Sequence, residues 1–434
     1  MRERPFNVVI IGAGIAGLAA SIFLAEKGHN VTILEAAPKL AAVGAGIQLP
    51  PNSMHVLKRL GVAKLSCWPR SIYLKRWKDG SVVVQTPLQP DIEQRYGEPY
   101  LLIHRADIHE VLLDRASKAG VKITLDTYVS IINEAEPSVI IGDGTKLTAD
   151  LIIGADGLKS HVRKAVLNGQ DVSIRFSPSC VYRTLIPASS LRSNPELRPL
   201  IDNVDALYWV GPKAHIIAYH ISNSTLYNFV LCDSSTPSVG LVPKVVPLSE
   251  LQARFSDWDP IVRQLIDLVP EPLKWQLAEI EEQPTWVSKS GKVVVIGDAS
   301  HAMVPHLAQG AAMALEDAAA LAECVGRATD QTDLPVLMDH FQDMRRERCY
   351  RIQREAWALG DMWHLPDGPD QERRDQHMRQ AGHEKWSVSK SENPNRWDDS
   401  KFQPFLFGYD AFQEATAYLN WHYAPDRRSI DPQR

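Results

Sequence analysis

The fold is decided by residues 8–35, which read VVIIGAGIAGLAASIFLAEKGHNVTILE. The apolar run at 7–12 ends in glycine and predicts a buried strand, while the spacing of apolar residues across 15–27 predicts a helix. A second apolar run, Val31–Leu34, predicts another strand. A strand, a helix and a strand within about 30 residues are typical of the unit that builds a right-handed parallel sheet. The sequence therefore predicts an α/β domain built on this unit.

The glycines of this unit are spaced as a dinucleotide requires. Gly12, Gly14 and Gly17 lie where a tight turn, the approach of a pyrophosphate and close helix packing each exclude a side chain. The helix that begins near Gly14 would direct free backbone N–H groups at the phosphates. Glu35 ends the second strand, where its carboxylate can bind a ribose diol, although it could instead be a solvated strand end. These residues predict a bound dinucleotide but do not distinguish NAD from FAD.

Two later motifs favour FAD. Gly297-Asp298 follows the apolar strand at 293–296, and the segment 305–312 precedes a predicted helix. A carboxylate at a strand end can bind ribityl hydroxyls, and a helix N-terminus can face the flavin N1 and O2 atoms, which become anionic on reduction. A nicotinamide needs no such second site. A third motif, Asp156-Gly157, follows the apolar run at 151–153.

Length and composition predict more than one domain. The chain has 434 residues, of which 44% are hydrophobic and 23% charged, so it is globular but too long for one small core. Two β-rich runs flank Asp79-Gly80, which is a hairpin signal, and β-branched and aromatic runs continue from about 176 to 284. We predict a discontinuous Rossmann-type FAD-binding domain at 1–70, 98–175 and 285–345, a largely antiparallel β-sheet substrate domain at 71–97 and 176–284, and a helical and irregular C-terminal region at 346–434.

Two charged segments near the C-terminal end are predicted to face solvent. Residues 361–403 are polar, charged and rich in Pro, Asp and Arg, so we expect a solvated flap or partial disorder there. The cluster Arg345-Arg346-Glu347-Arg348 is most simply a solvated helix face.

Charge and cysteine content argue against several kinds of partner. A formal charge of −5 supplies no global positive field for nucleic acid. The five cysteines form no C-x-x-C pair, which fits neither a disulfide framework nor a zinc site and favours a reducing, cytoplasmic compartment. No apolar stretch approaches the roughly 18 residues that a membrane span needs. We therefore expect no metal, no nucleic acid and no membrane partner, and a monomer and a homodimer both stay open.

The order of the three motifs resembles a known family. The glycine fingerprint, Asp156-Gly157 and Gly297-Asp298 look like those of the single-component (class A) FAD-dependent aromatic monooxygenases of the para-hydroxybenzoate hydroxylase type. Within that family the chain is similar to the branch of salicylate and 6-hydroxynicotinate hydroxylases and their relatives from fungal polyketide pathways. The similarity extends from residue 7 to about 350 and reappears at Phe405–Asp410.

The resemblance implies an enzyme that holds FAD and uses NADH or NADPH together with O2. Such enzymes hydroxylate a phenolic or other electron-rich aromatic molecule through a flavin C4a-hydroperoxide. Glu35 would bind the adenosine ribose, and Asp298 the ribityl chain. Arg105 would lie near the phosphate and the ribityl chain, unless it is an ordinary salt-bridge partner. Gly310 and Ala311 would lie against the isoalloxazine ring. Asp156 and Arg163 would lie where FAD and NAD(P)H meet. The full set of residues predicted to bind the cofactor is Gly12, Gly14, Ala16, Gly17, Glu35, Gly46, Arg105, Asp156, Arg163, Asp298, Pro305, Gly310 and Ala311.

The candidate catalytic residues lie mostly in the β-rich region. His215 and Tyr219 are four residues apart on one predicted strand and share a face, and Arg183 lies on another. Arg183 could hold a phenolate or carboxylate and Tyr219 could hydrogen-bond the reacting oxygen. Alternatively, His215 and Tyr219 pack a sheet face while Arg183 bridges to an acidic surface residue. His306 could relay a proton or contact substrate, or it could only cap the helix that begins near 308. Gln48 stands where 6-hydroxynicotinate enzymes carry a histidine base, which argues against the same substrate.

Two other functions would share the flavin motifs. A flavin-dependent epoxidase or another flavoprotein oxidoreductase is one, but an epoxidase would more often have a membrane-binding C-terminus, and residues 411–434 are too polar for that. A flavin-binding protein that acts only through partners is the other. Substrate-stimulated oxidation of NAD(P)H separates a hydroxylase from such a protein.

Overall fold

The computed structural model describes residues 4–40, 44–61, 67–170, 172–235, 239–383 and 393–423. The strands are β1 (Asn7–Ile11), β2 (Asn30–Leu34), β3 (Gly46–Leu49), β4 (Ser71–Arg76), β5 (Val82–Pro87), β6 (Leu101–His104), β7 (Lys122–Thr124), β8 (Val129–Asn133), β9 (Ser138–Ile141), β10 (Lys146–Thr148), β11 (Leu151–Gly154), β12 (Ile174–Pro187), β13 (Ala206–Gly211), β14 (Ala214–Ile221), β15 (Leu226–Asp233), β16 (Lys244–Val245), β17 (Leu273–Ile280) and β18 (Val293–Val295).

The α-helices are α1 (Ile15–Glu26), α2 (Pro51–Arg59), α3 (Asp91–Tyr96), α4 (Arg105–Lys118), α5 (His161–Val166), α6 (Ala188–Arg192), α7 (Arg198–Asp202), α8 (Leu248–Arg254), α9 (Pro260–Asp267), α10 (Asp298–His301), α11 (Gly310–Arg327), α12 (Leu334–Trp363), α13 (Pro369–His383), α14 (Phe402–Phe407) and α15 (Ala411–His422). Short 3-10 turns occur at Pro305–Leu307, Gln331–Asp333 and Arg396–Asp398. Within the described ranges, each helix is too short or too polar to span a bilayer.

A five-stranded parallel sheet forms around β1, in the order β18-β11-β1-β2-β7. β1 lies between β2 and β11 and runs parallel to both. β18 then pairs in parallel with β11, although it lies about 140 residues later in the chain. The predicted Rossmann-type sheet and its discontinuity in sequence are both confirmed.

Two glycines of the fingerprint serve the packing of this sheet against α1. Gly12 has a φ of +105°, a conformation that residues with a side chain rarely adopt. A Cβ atom on Gly17 would lie 2.1 Å from the carbonyl oxygen of Gly12. Neither position can therefore accept a side chain without moving the turn between β1 and α1.

An eight-stranded sheet has the order β16-β17-β12-β15-β14-β13-β4-β5. Its neighbouring strands are antiparallel except β13 and β4, which are parallel. β4 and β5 form the hairpin predicted at Asp79-Gly80. The pairing of β14 with β15 places His215 opposite Cys232 and Tyr219 opposite Asn228. The predicted, largely antiparallel second sheet is confirmed.

A buried ion network joins α11 to α12. Glu316, Asp317 and Arg345 have no exposed surface, and the guanidinium of Arg345 donates to Glu316 at 2.6 Å and to Asp317 at 2.9 Å. Arg348 donates to Glu316 at 2.8 Å and to the carbonyl oxygen of Leu406 at 3.1 Å. The prediction of a solvated face is wrong for both arginines, because their carboxylate partners lie on a helix that precedes them by about 30 residues.

The C-terminal region is packed more tightly than its composition suggests. The ring of Trp363, the last residue of α12, lies 5.5 Å from that of Trp397 and 5.6 Å from that of Tyr208 on β13. All three rings are buried. The predicted solvated flap is therefore wrong around Trp363 and Trp397, because these aromatic contacts attach the segment to the eight-stranded sheet.

Replacing Arg345 by leucine should destabilise the protein strongly. The change leaves Asp317 and part of Glu316 as buried carboxylates without a full counter-charge, which costs about 3–5 kcal/mol. Urea unfolding would measure this loss. Arg354→Leu on the same helix is the matched control, because its partners Glu282 and Glu347 are exposed and such pairs contribute about 0–1 kcal/mol. Equal losses in the two variants would contradict the assigned role of the network.

Candidate active site

A cavity of about 390 Å³ is the site at which the predicted residues converge. Its wall includes the predicted residues Gly14, Ala16, Gly46, Arg105, Arg183, His215, Tyr219, Asp298, Pro305, Gly310 and Ala311. These residues come from elements of both large sheets and from the helices that follow them. The tertiary structure thus brings together the dinucleotide fingerprint, the later glycine motif and the three candidates of the β-rich region.

The remaining predicted residues do not line this cavity and are Gly12, Gly17, Glu35, Asp156, Arg163 and His306. The carboxylate of Asp156 accepts a hydrogen bond from the backbone N–H of His161 at 2.7 Å, at the start of α5. The guanidinium of buried Arg163 donates to the carbonyl oxygen of Ala299 at 3.1 Å. Glu35 accepts from the backbone N–H of Ala13 at 2.7 Å. These contacts hold the loops around the site, and the cofactor roles of these residues stay predictions.

Three helices begin at the wall of the cavity. Ile15, Arg105 and Gly310 are the first residues of α1, α4 and α11, and all three line it. The first turn of a helix has free backbone N–H groups and a partial positive charge, so this wall favours phosphate and other anionic groups. A Cβ atom on Gly14 or Gly310 would meet no atom of the chain within 4 Å. The open space at these two glycines fits a bound dinucleotide.

Gly46 determines the position of Tyr219 in the cavity. A Cβ atom at Gly46 would lie 2.5 Å from the Tyr219 ring, and its backbone N–H donates to Asn228 at 2.8 Å. The absence of a side chain thus lets β3 approach β14 closely. Burial raises the pKa of Tyr219, so its hydroxyl group stays protonated at neutral pH and can donate a hydrogen bond into the cavity.

Arg183 is a partly buried cation that lines the cavity. Its Nε atom has no hydrogen-bond partner, and no carboxylate of the described residues forms an ion pair with it. The Trp275 ring lies 5.4 Å from its guanidinium carbon. Burial lowers the pKa of Arg183, but a guanidinium stays charged in proteins. The alternative in which Arg183 bridges to an acidic surface residue is not observed, and an unpaired buried charge is strongly stabilised by an anionic ligand.

His215 of the cavity wall belongs to a cluster of three histidines. Nδ1 of His215 lies 2.8 Å from Nε2 of His364, and the buried Nε2 of His215 has no partner. The rings of His306 and His215 have centroids 5.0 Å apart. A Cβ atom on Gly360 would lie 2.6 Å from the His306 ring, so this glycine of α12 makes room for the histidine.

The histidines of this cluster are neutral at pH 7. Burial lowers the pKa of His215 well below its ordinary value, and the neighbouring His306 and His364 lower it further. Burial lowers the pKa of His306 to about 3 and that of His364 to about 4. His306 lies in a 3-10 turn before α11 and packs against the Trp363 ring, and the N-cap residue of α11 is Gln309.

Two polar residues of this site were missed by sequence reasoning. Gln309 lines the cavity with a buried side-chain Nε2 that has no partner, while its Oε1 accepts from Asn52 at 2.9 Å. It lies within the segment 305–312, but no local feature distinguishes it from its neighbours. His364 lies about 150 residues from His215 in the chain, so no spacing rule could have joined them.

Comparisons with known proteins agree with these features. The sequence model of a family described as an FAD binding domain matches residues 5–192 and 263–356. The chain is 34% identical over 421 residues to the FAD-dependent monooxygenase OpS4 of Beauveria bassiana (strain ARSEF 2860), covering 95% of this chain and 97% of that protein. It is 34% identical over 388 residues to the 3-amino-4-hydroxybenzoate 2-monooxygenase of Streptomyces cremeus, covering 87% and 93%. The solved salicylate hydroxylase substrate complex has a TM-score of 0.77 and 25% identity, covering 95% of this chain and 98% of that chain.

Because a side chain at Gly14 would enter open space, a substitution there should affect FAD binding and not the fold. Gly14→Val should leave the free energy of unfolding of the apoprotein unchanged within about 0.5 kcal/mol and should lower FAD affinity, because its side chain fills ligand space. Gly17→Ala should instead destabilise the apoprotein, because its Cβ meets the Gly12 carbonyl. Urea unfolding of the apoprotein and titration with FAD would measure the two effects. Wild-type FAD affinity in Gly14→Val would exclude the pyrophosphate from this position.

Proposed function

Since this chain belongs to the FAD binding domain family of FAD-dependent monooxygenases, we propose that it hydroxylates a small aromatic molecule with a phenolic hydroxyl and an anionic group. The reductant would be NADH or NADPH, and O2 would supply the oxygen. The observation that carries the proposal is Arg183, the partly buried cation in the cavity wall that has no acidic partner among the described residues. An aromatic carboxylate or phenolate is the simplest ligand that could pair with the guanidinium of Arg183.

FAD would occupy the part of the cavity where the helices begin. Gly14 would face its pyrophosphate, Arg105 its phosphate and ribityl chain, and Asp298 its ribityl hydroxyls. Gly310 and Ala311, at the start of α11, would lie against the isoalloxazine ring. When bound, FAD supplies the redox chemistry, because it takes electrons from NAD(P)H and passes them to O2. Glu35 would bind the adenosine ribose, and the other residues of the predicted set would complete the site.

The aromatic substrate would occupy the opposite part, against the eight-stranded sheet. Arg183 would bind its anionic group and favour loss of the phenolic proton, because a nearby cation stabilises the anion that forms. Removing that proton makes the ring more nucleophilic, which an electrophilic oxygen donor requires. Tyr219 and Gln309 would donate hydrogen bonds to the resulting phenolate. The names of the Streptomyces relative and of the solved salicylate hydroxylase denote hydroxybenzoates, which carry both groups.

We also propose that different segments of the chain form a cofactor domain and a substrate domain, as the sequence predicts. The parallel sheet supports a cofactor domain at 1–70, 98–175 and 285–345, and the eight-stranded sheet supports a substrate domain at 71–97 and 176–284. Residues 346–434 would form the C-terminal region. All five cysteines are free, which supports work in the reducing cytoplasm, as a monomer or a homodimer.

Stopped-flow reduction of the bound flavin tests the proposed function. NADH and NADPH would be mixed with FAD-loaded protein, with and without 3-amino-4-hydroxybenzoate, salicylate or the corresponding neutral phenols. We expect at least one hydroxybenzoate to accelerate reduction and to be hydroxylated, because the anionic group fixes its position at Arg183. Flavin reduction that no phenol accelerates would favour a flavoprotein of another activity over the hydroxylase.

Arg183→Leu should weaken the binding of an anionic substrate. Removing the partner of a buried charge costs about 2–5 kcal/mol, which is roughly a 30-fold or larger increase in the dissociation constant. Flavin absorbance changes during titration would measure it. Arg192→Leu, an exposed arginine in the same region, is the control and should bind normally. An equal loss for the neutral phenol would show that Arg183 supports the pocket without recognising the charge.

A further inference from the structure

Four residues on neighbouring strands of the eight-stranded sheet form a row along the cavity wall. Arg183 on β12 lies opposite Val230 on β15, which lies opposite Ile217 on β14. Ile217 in turn lies opposite Tyr208 on β13. Residues that pair directly across neighbouring strands have their side chains on the same face of the sheet. The row therefore begins at a cation, crosses two apolar side chains that line the cavity, and ends at Tyr208.

Gln48 lies at the Tyr208 end of this row. It belongs to β3, lines the cavity and is 7% exposed. The hydroxyl group of Tyr100 donates to Oε1 of Gln48 at 2.6 Å, and Nε2 of Gln48 donates to the hydroxyl oxygen of Tyr208. Both tyrosines are buried and neither lines the cavity. A ligand in the cavity would therefore meet this donor trio of Gln48, Tyr100 and Tyr208 at Gln48.

The donor trio has more hydrogen-bond donors than its own acceptors use. A glutamine amide has two N–H groups and each tyrosine has one O–H group. The two hydrogen bonds within the trio use two of these four donors, whichever way the amide is turned. Among the described residues, the three side chains make no hydrogen bond to an acceptor outside the trio. Because buried donors in proteins are rarely left without an acceptor, an acceptor on a bound ligand would complete the trio.

The donor trio is electrically neutral at pH 7. Burial raises the pKa values of Tyr100 and Tyr208 well above the ordinary value of tyrosine, so both hydroxyl groups keep their protons. A glutamine amide carries no charge. A second anionic group would find no cation at this end of the row, because the cation of the row is Arg183 at the other end. The two ends therefore favour different groups, an anion at Arg183 and an uncharged acceptor at Gln48.

We propose that Gln48 is a specificity-determining residue that binds an uncharged hydrogen-bond acceptor on the side of the aromatic ring opposite the anionic group. This inference rests on the proposed function and narrows its substrate class. Neighbouring strands lie about 4.8 Å apart, so a benzene ring can cover both Val230 and Ile217. The substrate would then carry an oxygen substituent at Gln48 in addition to the phenol that activates the ring. A methyl group at that position would leave the donors of the trio unpaired.

Three salicylates with substituents of similar size test this assignment. They carry a hydroxyl, an amino or a methyl group at the 4-position, which is opposite the carboxylate. The hydroxyl oxygen accepts a hydrogen bond, whereas an amino group on an aromatic ring is a poor acceptor and a methyl group is none. Flavin absorbance changes during titration of the FAD-loaded enzyme would give the dissociation constants. We expect the wild type to bind the 4-hydroxy compound roughly fivefold to tenfold more tightly than the other two, as one neutral hydrogen bond contributes.

Two substitutions at Gln48 change the donors in opposite ways. Gln48→Met removes the amide but keeps the length of the side chain, so the 4-hydroxy and 4-methyl compounds should bind it within about twofold of each other. Gln48→Glu supplies a carboxylate that accepts from both tyrosines and from a ligand donor. This variant should bind the 4-amino compound roughly fivefold more tightly than the 4-methyl compound, unlike the wild type. Gln85→Met, at an exposed glutamine of β5, is the matched control and should keep the wild-type order of affinities.

The outcomes separate the role of Gln48 from the function on which it rests. Equal wild-type affinities for the three salicylates would overturn the role of Gln48 alone, because Arg183 would still bind their carboxylates. A wild-type preference for the hydroxyl group that both variants keep would also overturn it. If Gln48→Met fails to fold, Gln48→Glu decides, and a 4-amino compound bound no better than the 4-methyl compound would count against Gln48. A wild type that binds none of the three, and whose flavin reduction no hydroxybenzoate accelerates, would overturn both the role of Gln48 and the proposed function.

Discussion

The cavity depends on charges that are buried between α11 and α12. Asp317 accepts a hydrogen bond at 2.9 Å from the backbone N–H of Gly297, the residue before the carboxylate predicted to bind the ribityl chain. Glu316 accepts at 2.7 Å from Asn52, whose amide also donates to Gln309 at 2.9 Å. Buried carboxylates are tolerated only when they are fully paired. By pairing with these carboxylates, the arginines of α12 therefore help to fix the positions of Gly297 and Asn52.

The two sides of the cavity differ in their lining: one has glycines that face open space, and the other has polar atoms without hydrogen-bond partners. On the side proposed for the cofactor, Gly14 and Gly310 lie at the first turns of two helices and face open space. On the side proposed for the substrate, Arg183, His215 and Gln309 of the cavity wall have buried polar atoms without partners. Buried groups of this kind are costly in an empty cavity and become favourable when a complementary ligand binds. The distribution fits a site that binds two molecules of different chemistry.

Sequence reasoning succeeded where the signal was local or came from the family resemblance. The fingerprint at Gly12–Gly17 predicted the first strand, the first helix and the tight turn, because apolar spacing and the positive φ of Gly12 are local properties of the chain. It failed where the partners are distant. Arg345 looked like a surface residue because its carboxylates lie on another helix, and the packing of Trp363 depends on Tyr208, more than 150 residues earlier.

By itself the sequence determined the parallel and antiparallel sheets and the glycine turn between the first strand and the first helix. It could do so because glycine conformation and the alternation of apolar residues are fixed by local sterics and solvation. Only the tertiary structure decided that Arg183 has no acidic partner and that His215 bonds to His364. Partner choice depends on which side chains meet across the fold, and the spacing of residues along a chain does not specify those distances.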